Sequence, residues 1–173
     1  MSLDLKLFYK INNLVGRYKW LDIFGYLGGE WVIWFMVIAF AGLAYWKFRH
    51  SLPTLGGLYL KAVLIWFVAW LINLTIAFFV RRQRPHVAHP DSNLLIQPIA
   101  NWHSFPSDHT MTSFLIAFLA INFGLPGSWL FILGALWVSL GRIFIGVHYP
   151  TDLLGGLGVA TLVFWLAKFF KKI

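Results

Sequence analysis

The chain has 173 residues, 60% hydrophobic and 19% aromatic, with 12% charged, a mean hydropathy of +0.73 and a formal net charge of +8. Soluble domains carry roughly a quarter charged residues, so the composition excludes a water-solvated globule and predicts one helical domain, residues 1–173, integral to a membrane. The positive charge does not imply a nucleic-acid partner, because it gathers at Lys6–Lys19, Lys47–Arg49, Arg81–Arg84 and Lys168–Lys172, flanking apolar runs where Lys and Arg anchor membrane helices. Cysteine is absent, which removes disulfide and thiol chemistry. With Asp4 and no apolar centre, the first residues are not expected to form a cleavable leader.

Residues 3–16 set Leu3, Leu7, Phe8, Ile11, Leu14 and Val15 against Lys6, Lys10, Asn12 and Asn13 at helical spacing. That pattern predicts a short helix lying in the membrane interface; a solvated helix packed on the other segments is the plainer alternative. Trp20 to Gly29 is apolar but broken by Asp22, Gly25, Gly28 and Gly29, and leads into a first span whose core is Trp31–Trp46. A span takes about 20 apolar residues, so this one must recruit part of the lead-in. A basic turn, Lys47–Pro53, precedes a second span over 54–80, and the polar run 81–108 is the sizeable loop. The third span covers 109–125, the fourth 128–147 after Pro126–Gly127, and the fifth 152–170 after the turn 148–151, ending in Lys171–Lys172. The expected fold is all-α: a bundle of five or six transmembrane helices with an N-terminal interfacial helix. This threading puts the 81–108 loop and the 148–151 turn on one membrane face. Lys and Arg divide evenly between the two faces, so charge bias sets no orientation. Nothing in the pattern sets an oligomeric state.

Polar groups placed against this apolar pattern carry the chemistry. Ser107 follows Pro106 and precedes an apolar run, the place of a helix N-cap. A helix N-terminus points unpaired N–H groups outward and attracts anions, and His109 adds a proton donor in the first turn. Arg81 and Arg82 read as cationic anchors, whereas Pro85 fixes the chain after Arg84 and so aims its guanidinium. Arg142 lies more than one turn inside an apolar span, where a charge costs on the order of 3 kcal/mol and needs a partner or a task. Asp152 follows His148 by four residues, within reach of one ring nitrogen while the other stays free. Arg forks match phosphate oxygens, a carboxylate-backed imidazole attacks phosphorus, and a protonated imidazole serves the leaving oxygen. Phosphoryl transfer is mostly positioning and charge stabilisation. These groups supply both with no cofactor, so a metal-independent phosphate-ester or diphosphate hydrolase with a phospho-histidine intermediate is expected.

The same residues resemble the three-part signature of the type 2 phosphatidic-acid phosphatase superfamily, in Arg84–Pro85, Pro106–Ser107–His109, and Arg142, His148 and Asp152. The resemblance implies His148 as nucleophile, Asp152 as its orienting partner and His109 as general acid. It also implies Arg84, Ser107 and Arg142 as phosphate ligands, on a helical core like that of acid phosphatases and vanadium haloperoxidases. The wording Arg84-Pro85-His86-Val87, Asn93-Leu94-Leu95 and Ser104 to Thr110 is similar to undecaprenyl-diphosphate phosphatases of the bacitracin-resistance type. That likeness implies a polyprenyl diphosphate substrate drawn from the membrane lipids, a site on the outer face of the cytoplasmic membrane, and a role in recycling the cell-wall carrier lipid. Three positions depart from the signature. Ala77 stands where Lys is expected, so either Arg81 or Arg82 supplies the charge or the diphosphate is held with one ligand fewer. Asp108 replaces Gly beside the phosphate site and is expected to pair with one of the same arginines. Gly141 replaces Ser before Arg142. The rival readings are a phosphatase for phosphatidic acid, phosphatidylglycerol phosphate or lipid A phosphate; a metal-binding or transport protein built on His86, His89, His103, His109 and His148; and a non-catalytic relative, for which Ala77 is the motive.

Overall fold

A computed structural model describes residues 1–98, 101–170 and 173; the tail residues Lys171 and Lys172 lie outside this set. Among the described residues all regular structure is helical. Helix α1, Leu3–Asn12, starts at Ser2, whose Oγ accepts the Leu5 N–H at 3.3 Å, with Asp4 favourably placed in the first turn. Helix α2, Lys19–Tyr26, runs through a π turn at Leu27–Trp31 into α3, Val32–Phe48. The glycines read as a break are thus a widened turn in one 30-residue rod, Lys19–Phe48. Helix α4, Leu52–Val80, has Pro53 in its first turn and closes at Arg81, whose left-handed backbone (φ 46°) lets its N–H bond back to Ala77 O. The short α5, Pro85–Ala88, follows, then α6, Asp108–Asn122, α7, Trp129–Phe144, and α8, Pro150–Phe169.

Among the described residues, three stretches are long and apolar enough to cross a bilayer, Lys19–Phe48, Leu52–Ala88 and Pro150–Phe169, and α7 is a shorter apolar helix. Helix α6 is shorter still, about 22 Å at 1.5 Å per residue, and packs against α3, α4, α7 and α8. It buries Met111, Leu115, Ala117 and Ala120, which join Met36, Leu58, Ala69, Val138 and Val163 in one core. Its polar N-terminus is therefore carried at the centre of the bundle. Trp34, Phe35, Ile38, Val63, Phe79, Leu154 and Trp165 point outward and stay exposed, which suits hydrocarbon rather than water. At the end remote from the polar loop, Lys47 Nζ donates to Phe123 O and Gly124 O at 2.9 and 2.7 Å, capping the last turn of α6.

Helix α1 does more than the amphipathic pattern requires. Leu3 and Leu7 remain exposed, but Phe8 is fully buried against Ile143, Tyr149 and Leu153. Asn12, which periodicity assigns to the polar face, is also fully buried. Its Nδ2 donates to Asn93 O and Phe144 O, and its Oδ1 accepts the Asn93 N–H, so it clamps the polar loop onto the end of α7. Gly146 makes the clamp possible, with φ +86° and no room for a Cβ beside Asn93 O.

Candidate active site

The residues singled out in the sequence come from four places in the fold. Arg84 is the N-cap of α5, Ser107 the N-cap of α6 with His109 in its first turn, Arg142 lies in the last turn of α7, and His148 and Asp152 flank the start of α8. Ser107 is fully buried, its Oγ accepts the Thr110 N–H at 3.4 Å, and its own N–H donates to Asp152 O at 3.0 Å. That bond ties the first turn of α6 to the first turn of α8. Gly156 permits the approach, since a Cβ there would lie 2.5 Å from Ser107 O.

His148 is 2% exposed and its two nitrogens face different groups. Nε2 stands 3.2 Å from Arg84 Nη1, and Nδ1 stands 3.5 Å from Asp152 Oδ2. Arg has donors only, so Nε2 carries the lone pair and the ring proton sits on Nδ1, facing the carboxylate. At 3.5 Å the Nδ1–Asp152 contact is longer than a good hydrogen bond and acts electrostatically. Burial pushes the His148 imidazole down to about 4; Asp152 opposes this, while the positive charges of Arg84 and Arg142 reinforce it. The ring is thus neutral at physiological pH, the form able to attack. His109 lies within electrostatic reach of Arg142, His148 and Arg84, completing the cluster of two arginines and two imidazoles.

Each arginine is held from behind. Arg84 Nη1 donates to Val147 O at 3.1 Å. Arg142, 5% exposed, donates to Gly29 O at 2.7 Å and lies 3.5 Å from Glu30 Oε2, both in the π turn, while its Nε has no partner among the described residues. A buried guanidinium fixed at one end and unsatisfied at Nε is poised to receive an anion.

Residues 58–172 match the PAP2 superfamily. The chain belongs to that superfamily. Over 170 residues it is 34% identical to the bacitracin transport permease protein BcrC of Bacillus licheniformis, covering 96% of this chain and 81% of that one. The undecaprenyl-diphosphatase BcrC of Bacillus subtilis (strain 168) is 33% identical over 129 residues, 75% of this chain and 64% of that protein. The crystal structure of Aquifex aeolicus LpxE aligns with a TM-score of 0.69 at 27% identity, over 97% of this chain and 96% of that one. The protein is therefore a multi-pass membrane member of a phosphatase family.

The departures from the PAP2 signature acquire physical reasons. A Cβ on Gly141 would stand 2.5 Å from Gly28 C and 2.8 Å from Gly29 Cα, so the close packing of α7 on the π turn leaves no room for a serine. Ala77 is 1% exposed on the inner face of α4. Neither arginine after it brings its charge to the cluster of Arg84, Arg142, His109 and His148. Arg81 Nε donates to Phe78 O at 3.0 Å and its guanidinium covers the Phe78 ring, at the end of its own helix. Arg82 is engaged with Asp4, Thr151 and Asp152. Asp108 pairs with neither of them: Oδ1 accepts from Asn73 Nδ2 at 2.8 Å, and Oδ2 lies 3.8 Å from His103 Nε2. Asn73 is one turn before Ala77 on the same face of α4, so an amide anchors the first turn of α6 close to where the family carries a Lys. It is a polar residue inside a span, a signal that such groups have a task. Ser104, Glu30 and Asp4 also belong to the site's surroundings; Ser104 opens the Ser104–Thr110 wording without a role being read there, and no motif marks Glu30 or Asp4.

Proposed function

We propose that the protein hydrolyses a membrane lipid phosphate, with a polyprenyl diphosphate such as undecaprenyl diphosphate as substrate, through a phospho-histidine intermediate. The orientation of His148 carries this reading: a neutral Nε2 lone pair faces the arginine cradle and Nδ1–H faces Asp152. In the first step Nε2 attacks the distal phosphorus, the P–O bond to the leaving phosphate breaks, and His109 gives its proton to that oxygen. Arg84, Arg142 and the N–H groups at Ser107 stabilise the charge spreading over the equatorial oxygens. In the second step water attacks the phosphoryl group, His109 takes its proton, and the P–N bond returns its electrons to Nε2.

The lipid assignment draws on a cavity of about 750 Å³ between α3, α4 and α6. Asp108 and His109 stand in its wall, and Val37, Tyr59, Trp66, Trp70 and Leu115 line the remainder with apolar and aromatic surface. A tail in that groove leaves its headgroup at His109. The polyprenyl choice draws on the relatives named above and on the signature wording. It implies a site on the outer face of the cytoplasmic membrane, recycling of the cell-wall carrier lipid and tolerance of bacitracin.

The test compares phosphate release by purified protein in detergent from undecaprenyl diphosphate and from phosphatidic acid. Faster turnover of the diphosphate, abolished in His148→Ala and indifferent to EDTA, is expected. Preference for phosphatidic acid overturns the substrate, release surviving His148→Ala overturns the intermediate, and loss to EDTA favours metal chemistry.

A further inference from the structure

The carboxylate behind His148 is itself held by a second ion pair that begins in the N-terminal helix. Arg82 Nη1 donates to Asp152 Oδ1 at 2.6 Å and to Thr151 Oγ1 at 2.6 Å, and Arg82 Nη2 donates to Asp4 Oδ2 at 2.5 Å. Asp4 also accepts the Thr151 N–H at 3.0 Å and its hydroxyl at 2.8 Å, so it anchors the first turn of α8. The Arg82 carbonyl accepts the Ser104 N–H at 2.7 Å, and Ser104 Oγ donates to Asp152 Oδ2 at 2.5 Å. The Arg82 guanidinium lies 3.9 Å over the Tyr149 ring, and the Tyr149 N–H completes the set on Oδ2 at 2.8 Å. The Arg82 side chain thus holds one oxygen of Asp152, while its main-chain carbonyl holds Ser104, which with the Tyr149 N–H donates to the other.

We propose that Asp4 and Arg82 are positioning residues for the reaction at His148, forming an alternating row Asp4, Arg82, Asp152, His148 that fixes the carboxylate and sets its charge. The proposal rests on the functional reading above. Asp4 neutralises Arg82 from the far side; without it, an uncompensated cation sits 2.6 Å from Asp152 and draws that carboxylate away from the imidazole. The imidazole then becomes less basic and less nucleophilic, and the imidazolium of the phospho-histidine loses its counter-charge. The groups facing His148 from the packed elements are Arg84 beside α5, Asp108 and His109 on α6, Arg142 on α7 and Asp152 on α8. Asp4 on α1 acts only through Arg82. Helix α1 is on this view part of the catalytic apparatus as well as a packed amphipathic segment, with Phe8 and Asn12 holding it in register.

The experiment uses the full chain in detergent, with Asp4→Asn, Asp4→Glu and wild type compared in two ways. Steady-state phosphate release should show kcat of Asp4→Asn lower by roughly tenfold, the size of effect outer partners have on an oriented imidazole, with KM within twofold. The ¹⁵N titration of His148 in histidine-labelled protein, assigned with His148→Gln, should move to lower pH in Asp4→Asn and return toward wild type in Asp4→Glu. A raised KM with unchanged kcat would make Arg82 a phosphate ligand and overturn the proposal. A fall in kcat with an unmoved His148 titration would reduce Asp4 to a structural anchor and equally overturn it. Wild-type protein that releases no phosphate from either lipid defeats the functional reading, yet the titration, which needs no substrate, still decides this one.

Discussion

Restoring serine at position 141 should lower activity, although serine is what the PAP2 signature carries there. The hypothetical Cβ stands 2.5 Å from Gly28 C and 2.8 Å from Gly29 Cα, and both are backbone atoms that no rotamer change can move. Ordinary carbon contact lies near 3.5–4.0 Å, so α7 and the π turn must part by about 1 Å. Overpacking of this kind costs roughly 1–3 kcal/mol. The same parting stretches the 2.7 Å bond from Arg142 to Gly29 O, and a misplacement of about 1 Å in a group that binds the reacting phosphate costs on the order of 10²-fold in rate. Gly141→Ser and Gly141→Ala are both expected to reduce kcat for phosphate release by roughly ten- to a hundredfold. A loss of about 2 kcal/mol should lower Tm in detergent by roughly 4–8 °C. The two variants should behave alike because the Cβ is at fault, not the hydroxyl. Wild-type kcat and Tm in Gly141→Ser would refute the steric account. An impaired alanine beside an active serine would show instead that a hydroxyl there contributes to phosphate binding.

Three further outcomes follow from the site. His148 has a folded value of about 4 against an ordinary 6.5, so between those values the unfolded chain binds the extra proton. Stability from this group is complete above pH 6.5 and is lost as the pH falls toward 4, by about 3 kcal/mol; denaturation at pH 7 and pH 4.5 should record the loss, and its absence in wild type would contradict a buried neutral imidazole. Ser104→Ala removes a 2.5 Å donor from Asp152 and should reduce kcat about tenfold, near 1.4 kcal/mol, leaving KM unchanged; an unaltered kcat would deny Ser104 any part in holding the carboxylate. Ala62→Trp narrows the groove and should raise KM for a long-tailed lipid phosphate but not for a small soluble phosphate ester; an equal effect on both would remove the groove from tail binding.

The helical bundle was legible because apolar runs of span length alternate with Pro–Gly and basic turns, and those boundaries fall within a few residues of the helix ends. Arg142 stood out as a charge inside an apolar span, Ser107 and His109 as an N-cap and first turn, Arg84 through the proline after it, and His148 with Asp152 through their i,i+4 spacing. Their neighbours did not stand out. Arg82 reaches Asp152 across 70 residues and Ser104 reaches it across 48, and no local pattern encodes such pairings. Arg82 read as a membrane anchor, because its cation lies at a helix end where anchors are common, or as a substitute for the charge missing at Ala77; its pairing with Asp152 was in neither reading. The π turn has no periodicity signature, so Gly28 and Gly29 looked like a break. Asn12 was placed on the polar face of its helix; only the docked loop explains why an amide is fully buried there, since it satisfies backbone groups that no strand or helix pairs.

The widened turn at Leu27–Trp31 also governs how this helix tolerates changes in length. An i→i+5 turn holds one residue more than the α-helical path needs, closed here by the Val32 N–H on Leu27 O. Removing that residue would leave a regular helix with every backbone group paired and an apolar surface still fit for lipid. Its removal would also keep α2 and α3 in their present phase, because the wide turn absorbs the extra residue; deleting one residue from the regular α3 instead would turn everything before it by about 100°. Gly25 and Gly28, which now press on Phe144 and Trp137, would swing away from α7, and the carbonyl that holds Arg142 would go with them. Exposed aromatics along the rod, Trp20 or Trp46 for example, can be exchanged with little consequence, whereas an in-frame deletion of one codon within α3 would preserve the helix and disable the site.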